Sequence, residues 1–192
     1  TGQDYRVLTW NIGFGAYEDD YGFFMDGGTE SWAWSEDRLK ANLAEISNVL
    51  LSEDADIYFL QEVDFDSTRT YHIDERPYLY QAQPDDCRLY AVNYDSPFLL
   101  YPLTQPHGAS RSCLLTMAGL HVTSAVRRSL PVETGFTKLL DLDRCYSVAR
   151  VPVENGRELV LYDLHLSAYS SDGTIADEQL ELLLADMQAE YE

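Results

Sequence analysis

The chain has 192 residues, 45% of them hydrophobic, which suits one domain with a buried core. Its formal net charge is -20, and only Lys40 and Lys138 are lysines among 13 basic residues. A surface so acidic repels polyphosphate backbones unless a metal or a local basic patch intervenes, so bulk binding of duplex nucleic acid is disfavoured.

No apolar run reaches the ~18 residues of a membrane span, and no secretory signal stands at the start. The opening Thr1-Gly2-Gln3-Asp4 leaves localisation open between the cytoplasm and export after loss of an upstream segment. Cys87, Cys113 and Cys145 lie far apart without Cys-x-x-Cys spacing. They read as buried small hydrophobes, not as a zinc site or a disulfide framework.

The pattern predicts a strand over 5–11, then a long connection from 13 to 34. That connection holds Tyr17, Tyr21, Phe23, Phe24, Met25, Trp32 and Trp34 among glycines and acids. It is expected to hang over whatever lies at the end of the first strand, or to fold back as a satellite core. Ser35 is a natural N-cap with Glu36 and Asp37 in the first turn, and Leu39, Leu43, Ile46 and Leu50 carry an amphipathic helix to about residue 52. A second strand covers 56–62, followed by a polar, helical connection containing Arg69 and Tyr71.

Strand-like stretches then follow at 89–94, 112–117, 121–130, 145–153 and 158–165. Asn155-Gly156 between the last two predicts a tight type I′ hairpin, because both central positions of that turn want positive φ. A closing helix from near Thr174 places Ala176, Leu180, Leu183, Leu184, Met187 and Tyr191 on one apolar face. Consecutive hairpins with one-sided helices predict an α+β architecture with largely antiparallel sheets. No linker, repeat or low-complexity tract divides residues 1–192, which read as a single domain.

Three of the strands end on chemistry-bearing residues. Leu8-Thr9-Trp10-Asn11 delivers an asparagine, Phe59-Leu60-Gln61-Glu62 a glutamate, and Leu161-Tyr162-Asp163-Leu164-His165 a histidine. Ligands collect beyond the carboxyl ends of strands in open α/β sheets, so these three are expected to converge. A strand-end carboxylate suits a hard cation such as Mg²⁺. An imidazole can protonate a leaving oxygen, and an asparagine amide can orient a phosphate oxygen or cap a turn.

Thr9-Trp10-Asn11, Gln61-Glu62-Val63, the strand Ser112-Cys113-Leu114-Leu115-Thr116 and Asp163-Leu164-His165-Leu166, in this order, resemble the endonuclease/exonuclease/phosphatase superfamily. The resemblance runs from Tyr5 to Glu192. It implies a four-layer α/β sandwich and Mg²⁺- or Mn²⁺-assisted phosphoester hydrolysis. Glu62 would hold the metal, Asn11 would help position metal and phosphate, and His165 would stabilise or protonate. The superfamily's later Gly-Asp-x-Asn and Ser-Asp-His motifs have no counterpart in the chain. The fold is therefore expected to be truncated at the C-terminus, with the water-activating acid and a second histidine beyond Glu192. These residues alone are expected to be inactive and to leave a strand edge open to self-association.

In DNA-cleaving branches of that superfamily a basic residue commonly follows the Gln-Glu-x motif, whereas Val63 is followed here by Asp64 and then Asp66. Small or lipid-headgroup phosphoesters are thus expected over duplex DNA. Arg69, Arg111, Arg127 and Arg128 are candidate phosphate clamps, and Trp32 and Trp34 are candidate substrate contacts from the aromatic loop. The alternatives are a catalytically incompetent binding module of the same fold, a metal-dependent nuclease, and an unrelated antiparallel α/β interaction domain.

Overall fold

The computed structural model of the chain describes residues 2, 4–83, 87–132, 143–167 and 174–191; Lys138 falls outside them. Strand β1 (Val7–Asn11) pairs in parallel with β2 (Ile57–Asp64). Between them runs α1 (Glu36–Glu53), whose first turn is capped by the Ser35 hydroxyl accepting from the Arg38 N–H at 3.1 Å. After β2 a 3₁₀ turn at Thr68–Thr70 leads into the short helix α2 (Arg76–Leu79). Strands β3 (Cys87–Leu99) and β4 (Gly108–Ala118) complete an antiparallel hairpin, giving a four-stranded sheet of order β1-β2-β4-β3. The remaining strands, β5 (Ser124–Ser129), β6 (Cys145–Pro152) and β7 (Glu158–Leu164), form a second, antiparallel sheet in that order. Helix α3 (Thr174–Tyr191) closes the described chain.

The layers follow from which face of each strand is apolar. Tyr58, Leu60, Leu115 and Met117 point one way from the first sheet and pack with Ile46 and Leu50 of α1. Ile57, Phe59 and Ala118 point the other way and meet Ala149, Val151 and Leu161 of the second sheet. The far face of that sheet, through Tyr146 and Val148, meets Leu183 of α3. The result is a helix, two sheets and a helix, the expected four-layer sandwich.

Two expectations are corrected. The hairpin between β6 and β7 is longer than a two-residue turn: the ladder stops at the Pro152–Glu158 pair, and a 3₁₀ turn over Glu154–Gly156 links the strands. Pro152 has no N–H to continue the ladder, and Gly156 alone supplies positive φ, at 74°. The second correction concerns α3: of the apolar face expected for it, Leu183 is buried and Ala176 half-buried, but Leu180, Leu184, Met187 and Tyr191 stay largely exposed. Its inner face is Gln179, Leu183, Asp186 and Glu190, because the outer surface of the second sheet presents Arg128 and Arg150. Asp186 and Glu190 pair with Arg128, and Glu190 also pairs with Arg150.

Candidate active site

Glu62 reaches the site through an irregularity in β2. Leu60 pairs with Leu115 and Val63 with Cys113, so β2 carries one extra residue there, and Glu62 adopts the left-handed region with φ 56°. A β-bulge re-aims the side chain it contains, and a left-handed backbone at a non-glycine residue costs ~1–2 kcal/mol that surrounding structure must offset. Without the bulge Glu62 would join the face of Leu60 and Val63 against α1. With it, the carboxylate faces a cavity of about 690 Å³ at the carboxyl ends of β1 and β2.

Asn11 and His165 stand on either side of that carboxylate. Asn11 Nδ2 donates to Glu62 Oε1 at 2.9 Å, while its Oδ1 accepts the Gly13 N–H at 3.0 Å. A reversed amide would set oxygen against carboxylate oxygen and nitrogen against N–H, so the network fixes the orientation. Asn11 in this arrangement holds Glu62 in place. His165, just beyond β7, puts Nε2 3.7 Å from the same Oε1. The second sheet therefore closes on the first across this carboxylate.

Behind the three residues a buried polar seam joins the sheets. Asp163 of β7 accepts from Gln61 Nε2 at 2.8 Å and from Thr116 Oγ1 at 3.0 Å. Burial pushes its carboxyl up to about 7 against these two donors, which favour the charged form. Gln61 and Glu62 are thus split between tasks: one ties the sheets together and the other faces the cavity.

The other candidates from the sequence are placed differently. Arg69 lines the cavity, but its guanidinium is bound bidentately to Asp64, Nε to Oδ2 and Nη2 to Oδ1, both at 2.8 Å, and lies 3.7 Å over the Phe14 ring. It is the counterion of a fully buried carboxylate, not a clamp for phosphate. Asp64 is correspondingly neutralised, so it projects no negative charge toward a passing strand, and the argument drawn from its position falls away. Arg111 stands on the surface beside Asp95 and over Phe65, outside the cavity. Arg127 and Arg128 bind backbone carbonyls and the carboxylates of α3.

Trp32 donates from Nε1 to the Pro106 carbonyl at 2.7 Å, and Trp34 packs on Tyr21 beneath the Arg38 guanidinium. Neither tryptophan lines the cavity. The loop divides its aromatic residues between a satellite core around Phe14, Tyr21 and Phe23 and a cavity wall of Phe14, Tyr17, Phe23 and Met25. Tyr17 donates its hydroxyl to Asp26 on that wall.

Sequence reasoning missed Asn93 and Arg144, which also line the cavity. Asn93 interrupts the pairing of β3 between Val92 and Tyr94, and its Oδ1 accepts the Cys145 N–H at 2.8 Å. A lone asparagine inside an apolar strand run is a readable sign of such a bulge. Arg144 immediately precedes β6, and nothing in its sequence neighbourhood announces a cavity position.

Glu62 supplies a carboxylate to this cavity, and Asp26 and Glu45 also line it. Among the described residues no group of three or more His, Cys, Asp and Glu side chains is gathered to hold a metal. Mg²⁺ is commonly held by one or two carboxylates with water and substrate oxygens filling the rest of its shell, and a carboxylate that accepts one amide proton keeps further lone pairs. The donor set therefore fits a hard, mostly hydrated divalent cation and no soft or fully protein-caged metal.

The architecture is that of endonuclease/exonuclease/phosphatase structures. The family structure from Beutenbergia cavernae DSM 12333 superposes with a TM-score of 0.62 at 21% identity, covering 94% of this chain and 43% of that one. The human Nocturnin catalytic domain with bound sulfate gives 0.55 at 19% identity, over 96% of this chain and 58% of that one. ANGEL2, a 2',3'-cyclic phosphatase in complex with adenosine-2',3'-vanadate, gives 0.55 at 18% identity, over 96% and 48%. The chain thus spans about half the length of the structures it matches. No protein-family model matches the sequence, and no curated protein matches it.

Proposed function

We propose that the protein is a divalent-metal-dependent phosphoester hydrolase acting on small or lipid-headgroup phosphoesters in preference to duplex DNA. The observation that carries the reading is Glu62, turned by a bulge into a cavity between Asn11 and His165 on a fold shared with phosphoester-processing proteins. Glu62, steadied by Asn11, would hold Mg²⁺ or Mn²⁺, which when bound supplies Lewis-acid stabilisation of phosphoryl oxygen. His165, facing the same space, donates a proton to the departing oxygen or a hydrogen bond to the phosphoryl group. Arg144, just before β6, and Asn93 of β3 bring donors to the same cavity. The reading is one of the whole protein, since this chain spans about half the length of the structures it matches.

The net charge of -20 and the wall of Phe14, Tyr17, Phe23 and Met25 support the substrate preference. Assay of the full-length protein against plasmid DNA, bis(p-nitrophenyl) phosphate and phosphatidylcholine in Mg²⁺ or Mn²⁺ tests it. Turnover of a small or lipid ester is expected, with His165→Ala lowering kcat by about 10²- to 10⁴-fold. Metal-dependent nicking of plasmid with no turnover of the others would overturn the preference.

A further inference from the structure

The β3–β4 hairpin ends in a tip whose chemistry stands apart from the rest of the surface. Phe98, Leu100, Tyr101 and Leu103 are 62%, 63%, 61% and 80% exposed. Residues 96–110 contain no Asp, Glu, Lys or Arg in a chain that carries -20 overall. Exposed apolar groups scattered singly need no explanation, but four on one uncharged tip do.

The tip is held rigidly and held against the site. The His107 N–H donates to the Tyr101 carbonyl at 3.1 Å, Ser31 Oγ donates to the Gln105 carbonyl at 2.7 Å, and Trp32 Nε1 donates to the Pro106 carbonyl at 2.7 Å. The Phe24 ring lies 5.8 Å from that of Tyr101. Phe24 is flanked by Phe23 and Met25, both on the cavity wall. The aromatic loop is therefore clamped on one side to the tip and forms the candidate active site on the other.

We infer that this tip inserts into the surface of an electrically neutral lipid bilayer and sets the cavity beside the headgroups. The exposed polar side chains at the tip are the neutral Thr104 and Gln105, so it offers none of the charge that a protein partner's rim would match. Leucine and phenylalanine suit the acyl boundary, and tyrosine suits the headgroup level. The charge of -20 selects zwitterionic over anionic lipid. The inference deepens the lipid-headgroup reading above and rests on it for the substrate, though not for the binding event.

Sedimentation of the 192-residue chain with phosphatidylcholine vesicles, in EDTA so that metal and catalysis play no part, tests the inference. Binding is expected, weaker on vesicles rich in phosphatidylserine, with the gap narrowing as salt is added. Each of Phe98→Ser, Leu100→Ser and Leu103→Ser should weaken partitioning on the order of tenfold. These exposed changes should leave thermal unfolding in place, and Leu184→Ser on the exposed face of α3 should leave vesicle binding unchanged. Failure to bind phosphatidylcholine, or equal loss with Leu184→Ser, would overturn the inference. So would self-association that the tip variants abolish, since a second copy would then be the occupant. None of these outcomes bears on phosphoester turnover, so the two readings fail separately.

Discussion

Helices α1 and α3 are both 18 residues long and both cover a sheet, yet they are held by different physics. Helix α1 buries Leu39, Leu43 and Leu50 of the stripe its hydrophobic period marks out, with Ile46 half-buried and Ser47 buried beside them. Helix α3 buries Gln179 and Leu183 and turns Asp186 and Glu190 onto Arg128 and Arg150, leaving Leu184 and Tyr191 outside. Gln179 joins the polar work as well: its amide spans the Pro131 carbonyl and the Ser167 hydroxyl, both at 2.7 Å. When a sheet presents arginines, the helix face that satisfies them outranks the more apolar one, because an unpaired half-buried cation costs more than an exposed leucine.

The largest effect that sharpens this contrast comes from Leu43→Ala. The site is fully buried in the satellite core, and truncation should cost about 2–5 kcal/mol in denaturant unfolding. The equivalent loss at Leu184 on α3 should stay within about 0.5 kcal/mol. A large cost at Leu184 would show α3 docking through its apolar face after all.

The polar seam between the sheets offers a second test. Asp163 has its carboxyl raised to about 7 by burial, above its value of 3.8 in the unfolded chain. The native state then binds more protons than the unfolded state between these values. Asp163 should make stability fall as pH rises from about 4 to 7 and contribute no further slope above that. Asp163→Asn can still accept from Gln61 and meet Thr116, and should flatten that slope in pH-dependent thermal unfolding.

The smallest effect concerns salt. Hydrogen exchange in α3 should accelerate as sodium chloride screens its carboxylate–arginine pairs, while exchange in α1 holds steady. Equal responses would remove the distinction between the two helices.

What the sequence disclosed divides along the same line. Periodicity gave α1 with its Ser35 cap and the strands carrying Asn11, Glu62 and His165, because apolar burial and capping are local signals. The convergence of those three was legible from strand ends. The bulge that turns Glu62 into the cavity was not, since it depends on register against β4. Charges were read poorly for a related reason. Asp64 looked like a repulsive surface group and Arg69 like a phosphate clamp, whereas the fold buries them against each other. Which arginine meets which carboxylate is decided by tertiary placement alone. Arg144 at the cavity was missed on that account, and Trp32 proved to be a clamp on the β3–β4 tip.

The central claim is that Glu62 is poised to hold a divalent cation. Titration of the 192-residue chain with Mn²⁺, read by calorimetry and by the enhancement of water proton relaxation, tests it most directly. The account predicts one saturable site that is competed by Mg²⁺ and lost in Glu62→Gln, with the fold intact by circular dichroism. Mn²⁺ binding that survives Glu62→Gln undiminished, or its absence from the wild-type chain at millimolar metal, would contradict it.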